Sequence, residues 1–206
     1  MYKVGAKVVS VVYGAGTITE IVKEKIDGVM HEFYKIKLTH SPMELLIPTK
    51  KTNKNLIRPI STDKQLAKAL NILKKEPLKM SEEDLRIITN DISSIIKNSD
   101  IVEIAKWLSK LISRRRALGQ PNANEKKLYL NFKTLICGEL ALIKNIDFKE
   151  AEAHLEKILK KNFSVSQKDL EFLGIDENAN LDEDDENEED ELEDEDEEKD
   201  DDELLK

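Results

Sequence analysis

The sequence predicts an α+β protein: a small N-terminal antiparallel β-sheet or barrel, then an all-α helical bundle, then a disordered acidic tail. Three observations carry this expectation. Residues 1–60 hold short runs of β-branched residues with a period of two, separated by glycine and proline. From Thr62 the apolar period changes to 3.6. Residues 176–206 hold 21 acidic residues against Lys199 and Lys206, and a like-charge block of that length cannot bury a core. The expected divisions are therefore 1–60, 61–175 and 176–206.

Residues 2–22 read as two strands joined at Gly14-Ala15-Gly16. Val4, Val8, Val9, Val11 and Val12 suit a pleated, half-buried surface. Thr17, Ile18, Thr19, Ile21 and Val22 resume the pattern after the glycines. A third run, residues 32–38, sets Tyr34, Ile36 and Leu38 on one face and Lys35 and Lys37 on the other. A fourth, residues 43–47, follows Ser41-Pro42 and stops at Pro48, and residues 56–60 supply a closing strand. A sheet this small and strongly bent serves as an adaptor for protein or nucleic acid and is too small to hold a large substrate cavity.

The helices follow. Thr62-Asp63-Lys64-Gln65 is a capping-box pattern ahead of Leu66, Ala69, Leu70 and Leu73, with Pro77 ending the helix. Ser81-Glu82-Glu83-Asp84 opens a second, with Leu85, Ile88, Ile92 and Ile95 or Ile96 inward. Asp100 opens a third, with Ile101, Ile104, Ala105, Leu108, Leu111 and Ile112 at core spacing and Trp107 as core or half-core packing. Gly119-Gln120-Pro121 breaks the chain before a long helix containing Leu128, Phe132, Leu135, Ile136, Leu142 and Ile143. Asp147 caps the next, with Ala151, Leu155, Ile158 and Leu159 inward, and a short helix spans residues 167–173. The result is a bundle of five or six helices.

Composition and motifs speak against an enzyme. Cys137 is the single cysteine, in an apolar stretch that predicts burial, and His31, His40 and His154 lack ligand spacing. No metal site or cofactor is expected. Gly14-x-Gly16 lacks the lysine and following helix of a phosphate loop. Glu82-Glu83-Asp84 suits the first turn of a helix, where the macrodipole favours carboxylates. Lys7 interrupts the apolar N-terminus and Glu139 the longest later apolar run, so neither a secretory signal nor a membrane span is expected, and the protein is read as cytoplasmic.

Charge is more informative. The whole chain carries −9 and residues 176–206 carry −19, leaving +10 on residues 1–175. Arg114, Arg115 and Arg116 close one helix, and Lys126 and Lys127 open the next across a short loop, with Lys133 two turns on. Three successive arginines exceed what a helix end needs, so contact with phosphate is the functional expectation. Aromatic residues make up only 5% of the chain, which counts against a single-strand stacking groove.

Taken together, Tyr2-Lys3-Val4-Gly5-Ala6-Lys7-Val8-Val9, the Gly14-Ala15-Gly16 segment, the strand at residues 43–48, Glu125-Lys126-Lys127 with Lys133, and Gly138-Glu139-Leu140-Ala141-Leu142 resemble the CarD/CdnL family of bacterial transcription regulators. The resemblance covers residues 2–159. It implies a Tudor-like N-terminal domain that interacts with RNA polymerase, shared with transcription-repair coupling factors, and a helical domain that contacts DNA. It further implies a monomeric, nucleoid-associated regulator that docks its sheet on the polymerase β subunit. The helical domain would then lie at the upstream edge of the promoter bubble, on double-stranded promoter DNA, where it changes open-complex stability. The positions implied for polymerase are Lys23, Lys25, Met43, Leu45, Leu46 and Ile47. Those for DNA are Arg86, Arg114, Arg115, Arg116, Lys126, Lys127 and Lys133. The chain departs from the family where Leu85 stands at the place of a tryptophan wedge and Leu46 at that of an arginine. A second expectation, from another class, is a protein-binding adaptor whose acidic tail competes for basic partners.

Overall fold

The structure is a computed structural model that describes residues 1–49, 57–90, 100–118 and 123–163. The described residues belong to one compact unit. Five strands, β1 (Lys7–Ser10), β2 (Gly14–Ile26), β3 (Val29–Leu38), β4 (Glu44–Pro48) and β5 (Ile57–Pro59), form an antiparallel sheet in the order β4-β3-β2-β1-β5. Five helices follow among the described residues: α1 (Asp63–Leu73), α2 (Glu82–Asn90), α3 (Ile101–Leu118), α4 (Ala123–Lys144) and α5 (Phe148–Phe163). This is the α+β architecture expected from the sequence. The acidic tail, the short helix at 167–173 and Ile92, Ile95 and Ile96 lie outside the described residues.

The first turn differs from expectation. Gly14, Ala15 and Gly16 are not the turn; they pair in register with Ser10, Val9 and Val8 as the start of β2. Val11, Val12 and Tyr13 make the turn, closed by the Ser10 hydroxyl, which accepts from Tyr13 N at 3.3 Å. A local hydrogen bond thus overrides the β preference of two valines.

β2 and β3 are longer than their alternation suggested, because Asp27 and Gly28 join them as a two-residue hairpin loop. Both residues have positive φ, 51° and 80°, as a type I′ turn demands, and glycine accommodates this without strain. Of β3, β4 pairs only with Phe33–Lys37, and of β2, β1 pairs only with Gly14–Thr17, its other edge taking β5. Beyond those partners, the ends of β2 and β3 run on as a two-stranded ribbon to the Ile26–Val29 pair.

The alternation of β1 divides its side chains between two cores. Val8 joins Ile18, Tyr34, Ile36, Ile47 and Ile57 on one face of the sheet. Val9, with Ala15, joins the helical core on the other. The α1 capping box is present, with Thr62 and Gln65 satisfying each other's backbone N–H groups. α1 ends at Leu73, before Pro77. Asp100 Oδ1 accepts from Val102 N and Glu103 N, both at 2.9 Å, starting α3. Asp147 Oδ1 accepts from Lys149 N at 2.8 Å, starting α5.

α4 is the central element, touching β1, β2, α1, α3 and α5. Leu128, Phe132, Leu135, Ile136 and Leu140 are buried along it, each contributing about 1.5–3 kcal/mol relative to exposure. Cys137 is buried as expected, and burial pushes its thiol up to about 12, leaving an inert side chain.

Candidate functional site

Two surfaces gather the residues singled out above, and the junction between sheet and helices sets one against the other. At that junction Gly138 of α4 lies against β2: a Cβ placed there would come within 2.9 Å of the Ala15 Cβ and 3.2 Å of the Ala15 backbone nitrogen. The next residue, Glu139, is fully buried. Its carboxylate accepts from Arg58 Nη2 at 2.5 Å, Arg58 Nη1 at 3.2 Å and Ser61 N at 2.8 Å. This bidentate pair ties β5 to α4. Lys7 Nζ donates to Leu142 O at 2.5 Å, and Asn131 Nδ2 to Val12 O at 3.3 Å. These contacts run from three parts of the sheet to one helix and hold it in a single orientation.

The first surface lies along β4, which among the described strands pairs with β3 alone and stands at the edge of the sheet. Leu46 and Met43 are 46% and 52% exposed. Leu45 packs partly against the sheet core, and Ile47 is buried in it at 7% exposure. Of the apolar positions implied for polymerase contact, Met43 and Leu46 therefore face outward, while Ile47 supports them from within. The ribbon continues this end of the sheet: Lys23 pairs with Glu32 at 3.3 Å, and Thr49 N, just past β4, donates to Glu32 O at 2.9 Å. Lys25 is exposed opposite Met30. Sequence reasoning missed the exposed ribbon tip of Ile26, Val29 and Met30; the signal for it was the Asp27-Gly28 dipeptide.

The second surface is the α3–α4 corner. Arg114 Nε donates to Glu125 Oε1 at 2.6 Å, and Glu125 is buried, so this arginine joins two helices. Arg115 and Lys126 are half-buried and Lys127 is exposed; the Arg116 side chain lies outside the described residues. Lys133 is 5% exposed and forms ion pairs with Glu152 at 2.5 Å and Glu156 at 3.5 Å on α5. Its ammonium is committed to internal carboxylates, which the sequence spacing of basic residues alone did not reveal. The first turn, with Val12 and Tyr13 exposed, reaches α4 through Val12 O, which accepts from Asn131 Nδ2. On α2, Arg86 is exposed and Leu85 half-buried.

Asp84 anchors α2 to this region. Ser81 N donates to Asp84 Oδ2 at 2.8 Å, and Lys110 Nζ donates to Oδ1 at 2.6 Å. Burial pushes the carboxyl up, but Lys110 and the Ser81 donors outweigh it and hold the group below its usual range. The same Lys110 ammonium sits 4.8 Å above the half-buried Trp107 ring, which places that tryptophan in a structural contact. Among the described residues no cluster of histidine, cysteine and carboxylate could hold a metal, and no helix is long and apolar enough to cross a membrane.

Comparison with known proteins joins both halves of the chain to one family. Residues 2–61 match the CarD-like/TRCF RID domain, and residues 68–156 match the CarD C-terminal domain. The chain is also similar to the Bacillus subtilis (strain 168) protein YdeB, provisionally named as a transcription factor. The two are 27% identical over 156 residues, which cover 74% of this chain and 99% of YdeB. The two matched domains follow each other in the order of the sheet and the helical bundle, and the chain belongs to the CarD-like family of transcription factors, whose N-terminal domain interacts with RNA polymerase.

Proposed function

We propose that this protein is a non-enzymatic transcription regulator that binds the RNA polymerase β subunit through its sheet and promoter DNA through its helical body. In this reading β4 presents its open edge with Met43 and Leu46, and Lys23 and Lys25 extend the contact along the ribbon. The unpaired main-chain groups of an edge strand suit pairing with a strand of the partner. Arg86, Arg115, Lys126 and Lys127, with Arg116, supply phosphate contacts, while Arg114 positions the corner and Lys133 stabilises it from inside. The observation that carries the reading is the junction at Gly138 and the Arg58–Glu139 pair. A fixed orientation between an edge strand and a basic corner lets one molecule engage two partners at a set distance. Such a molecule shifts promoter opening toward the state in which both contacts are made. Coupling of about 1–3 kcal/mol changes the open-complex population roughly 5- to 150-fold.

The test uses the full chain with core polymerase and promoter duplex. Leu46→Glu is expected to abolish polymerase capture and leave duplex binding intact. Arg86→Glu with Lys127→Glu is expected to do the reverse and to remove any change in open-complex lifetime. Loss of both activities in either variant would overturn the division of labour. A protein-only adaptor is the second reading, favoured by the internal pairing of Lys133 and Arg114; it predicts polymerase capture with no effect of the Arg86 and Lys127 changes.

A further inference from the structure

α5 and Lys74, at the C-terminal end of α1, line an open hollow of about 730 Å³. Its wall includes Lys74, His154, Lys157 and Lys161, with Glu150 and Ala153. α5 segregates its charge around its axis. Glu152 and Glu156 turn toward α4 and pair with Lys133, whereas His154, Lys157 and Lys161 turn toward α1. Lys74, Lys157 and Lys161 are exposed, and no ion pair joins any of them to a carboxylate of the described residues. Lys74 and Lys161 stand at helix C-terminal ends, where the macrodipole by itself favours a cation. Lys157 and His154 lie further inside α5, so the dipole does not account for the whole set.

We infer that this hollow is a second phosphate-binding surface, and that its ligand is the backbone of duplex DNA. The chemistry separates that ligand from a small phosphate compound. A site for a small anion uses convergent backbone N–H groups or a bidentate arginine in an enclosed cavity. Here the wall presents lysine ammoniums on flexible stems around an open depression, which suits the repeated, spaced charges of a duplex backbone. The hollow extends the DNA-contacting reading of the helical body to a face that no residue of the α3–α4 corner occupies, and it rests on that reading. It would supply affinity and orientation and no base readout.

The test measures binding of the full chain to a labelled duplex over a range of salt concentrations. Lys157→Gln with Lys161→Gln is expected to weaken binding about tenfold at moderate salt and to make the log–log salt slope shallower by about two, one for each phosphate no longer neutralised. Both side chains are exposed, so the thermal midpoint should not move. Arg86→Gln with Lys127→Gln, run in parallel, separates the two surfaces. If that pair weakens binding while the Lys157 and Lys161 pair leaves affinity and slope unchanged, the hollow is not a DNA surface and the corner still is. Loss through the α5 pair alone supports the hollow and removes the corner. Displacement of duplex by inorganic phosphate at an equal phosphate concentration would overturn the duplex assignment in favour of a small anion.

Discussion

Arg58→Ala removes the guanidinium from a carboxylate that is shielded from solvent. Among the described residues, Glu139 would retain the Ser61 N–H at 2.8 Å as its only hydrogen-bond donor. Deleting one member of a buried pair typically costs about 3–5 kcal/mol. The Arg58 side chain is 22% exposed, so water reaches part of the vacated space and the lower figure, about 3 kcal/mol, is expected. In a domain of this size each kcal/mol moves the midpoint by about 2–4 °C, so the thermal midpoint should fall by roughly 10 °C. Glu139→Gln keeps the shape and an oxygen for the Ser61 N–H while removing the charge, and should cost less, about 1–2 kcal/mol. In the double variant the second change should then add little. The assay is urea unfolding of wild type, both single variants and the double variant, read as a cycle. A coupling energy below about 0.5 kcal/mol would refute the claim that this pair ties sheet to bundle.

Gly138→Ala sets a methyl group 2.9 Å from the Ala15 Cβ, and because β2 is paired on both sides it cannot retreat freely. A loss of about 1–3 kcal/mol is expected in urea unfolding despite the better helix propensity of alanine; a stabilised variant would show that the two elements are not in close contact. His40 is half-buried beside Phe148, with Nδ1 lacking a hydrogen-bond partner, and burial lowers it from its ordinary 6.5. The unfolded chain then binds the proton more readily, so stability from this group is full above pH 6.5 and falls as pH drops through the lowered folded value. His40→Gln should flatten that acid-side decline in thermal midpoints, and an unchanged decline would assign it to other groups. Removing residues 176–206 takes away −19 and leaves +10, so non-specific duplex affinity should rise and its salt dependence steepen; equal binding by the truncated and full chains would show that the tail does not compete with DNA.

Much of the architecture was legible because local chemistry and tertiary packing agree. Thr62 with Gln65, Ser81 with Asp84, and Asp100 each start a helix as their residue types suggest. Tyr34, Ile36 and Leu38 are buried as their alternation implies. The misplaced first turn shows the limit: strand propensity in Val11 and Val12 gave way to a serine-closed turn that only the register identifies. The β2–β3 hairpin was readable from Asp27-Gly28, whereas the extent of its ribbon depends on where β1 and β4 cease to pair. At the basic corner, sequence spacing located the cations but not their carboxylates. Glu152 and Glu156 are some twenty residues from Lys133 and reach it only through the packing of α5 on α4. The Gly138-Glu139 pair carried weight in the resemblance, and the structure supplies its reason, since one residue admits the strand and the other clasps Arg58.

β1, only four residues long, faces two ways. Val8 seals the interior of the sheet while its neighbour Val9 plugs the base of the bundle. A melted sheet would uncover the bundle, and a melted bundle would strip one side of the sheet. Heating should therefore dissolve both halves in one cooperative step, and damage to either would be felt at the surface carried by the other.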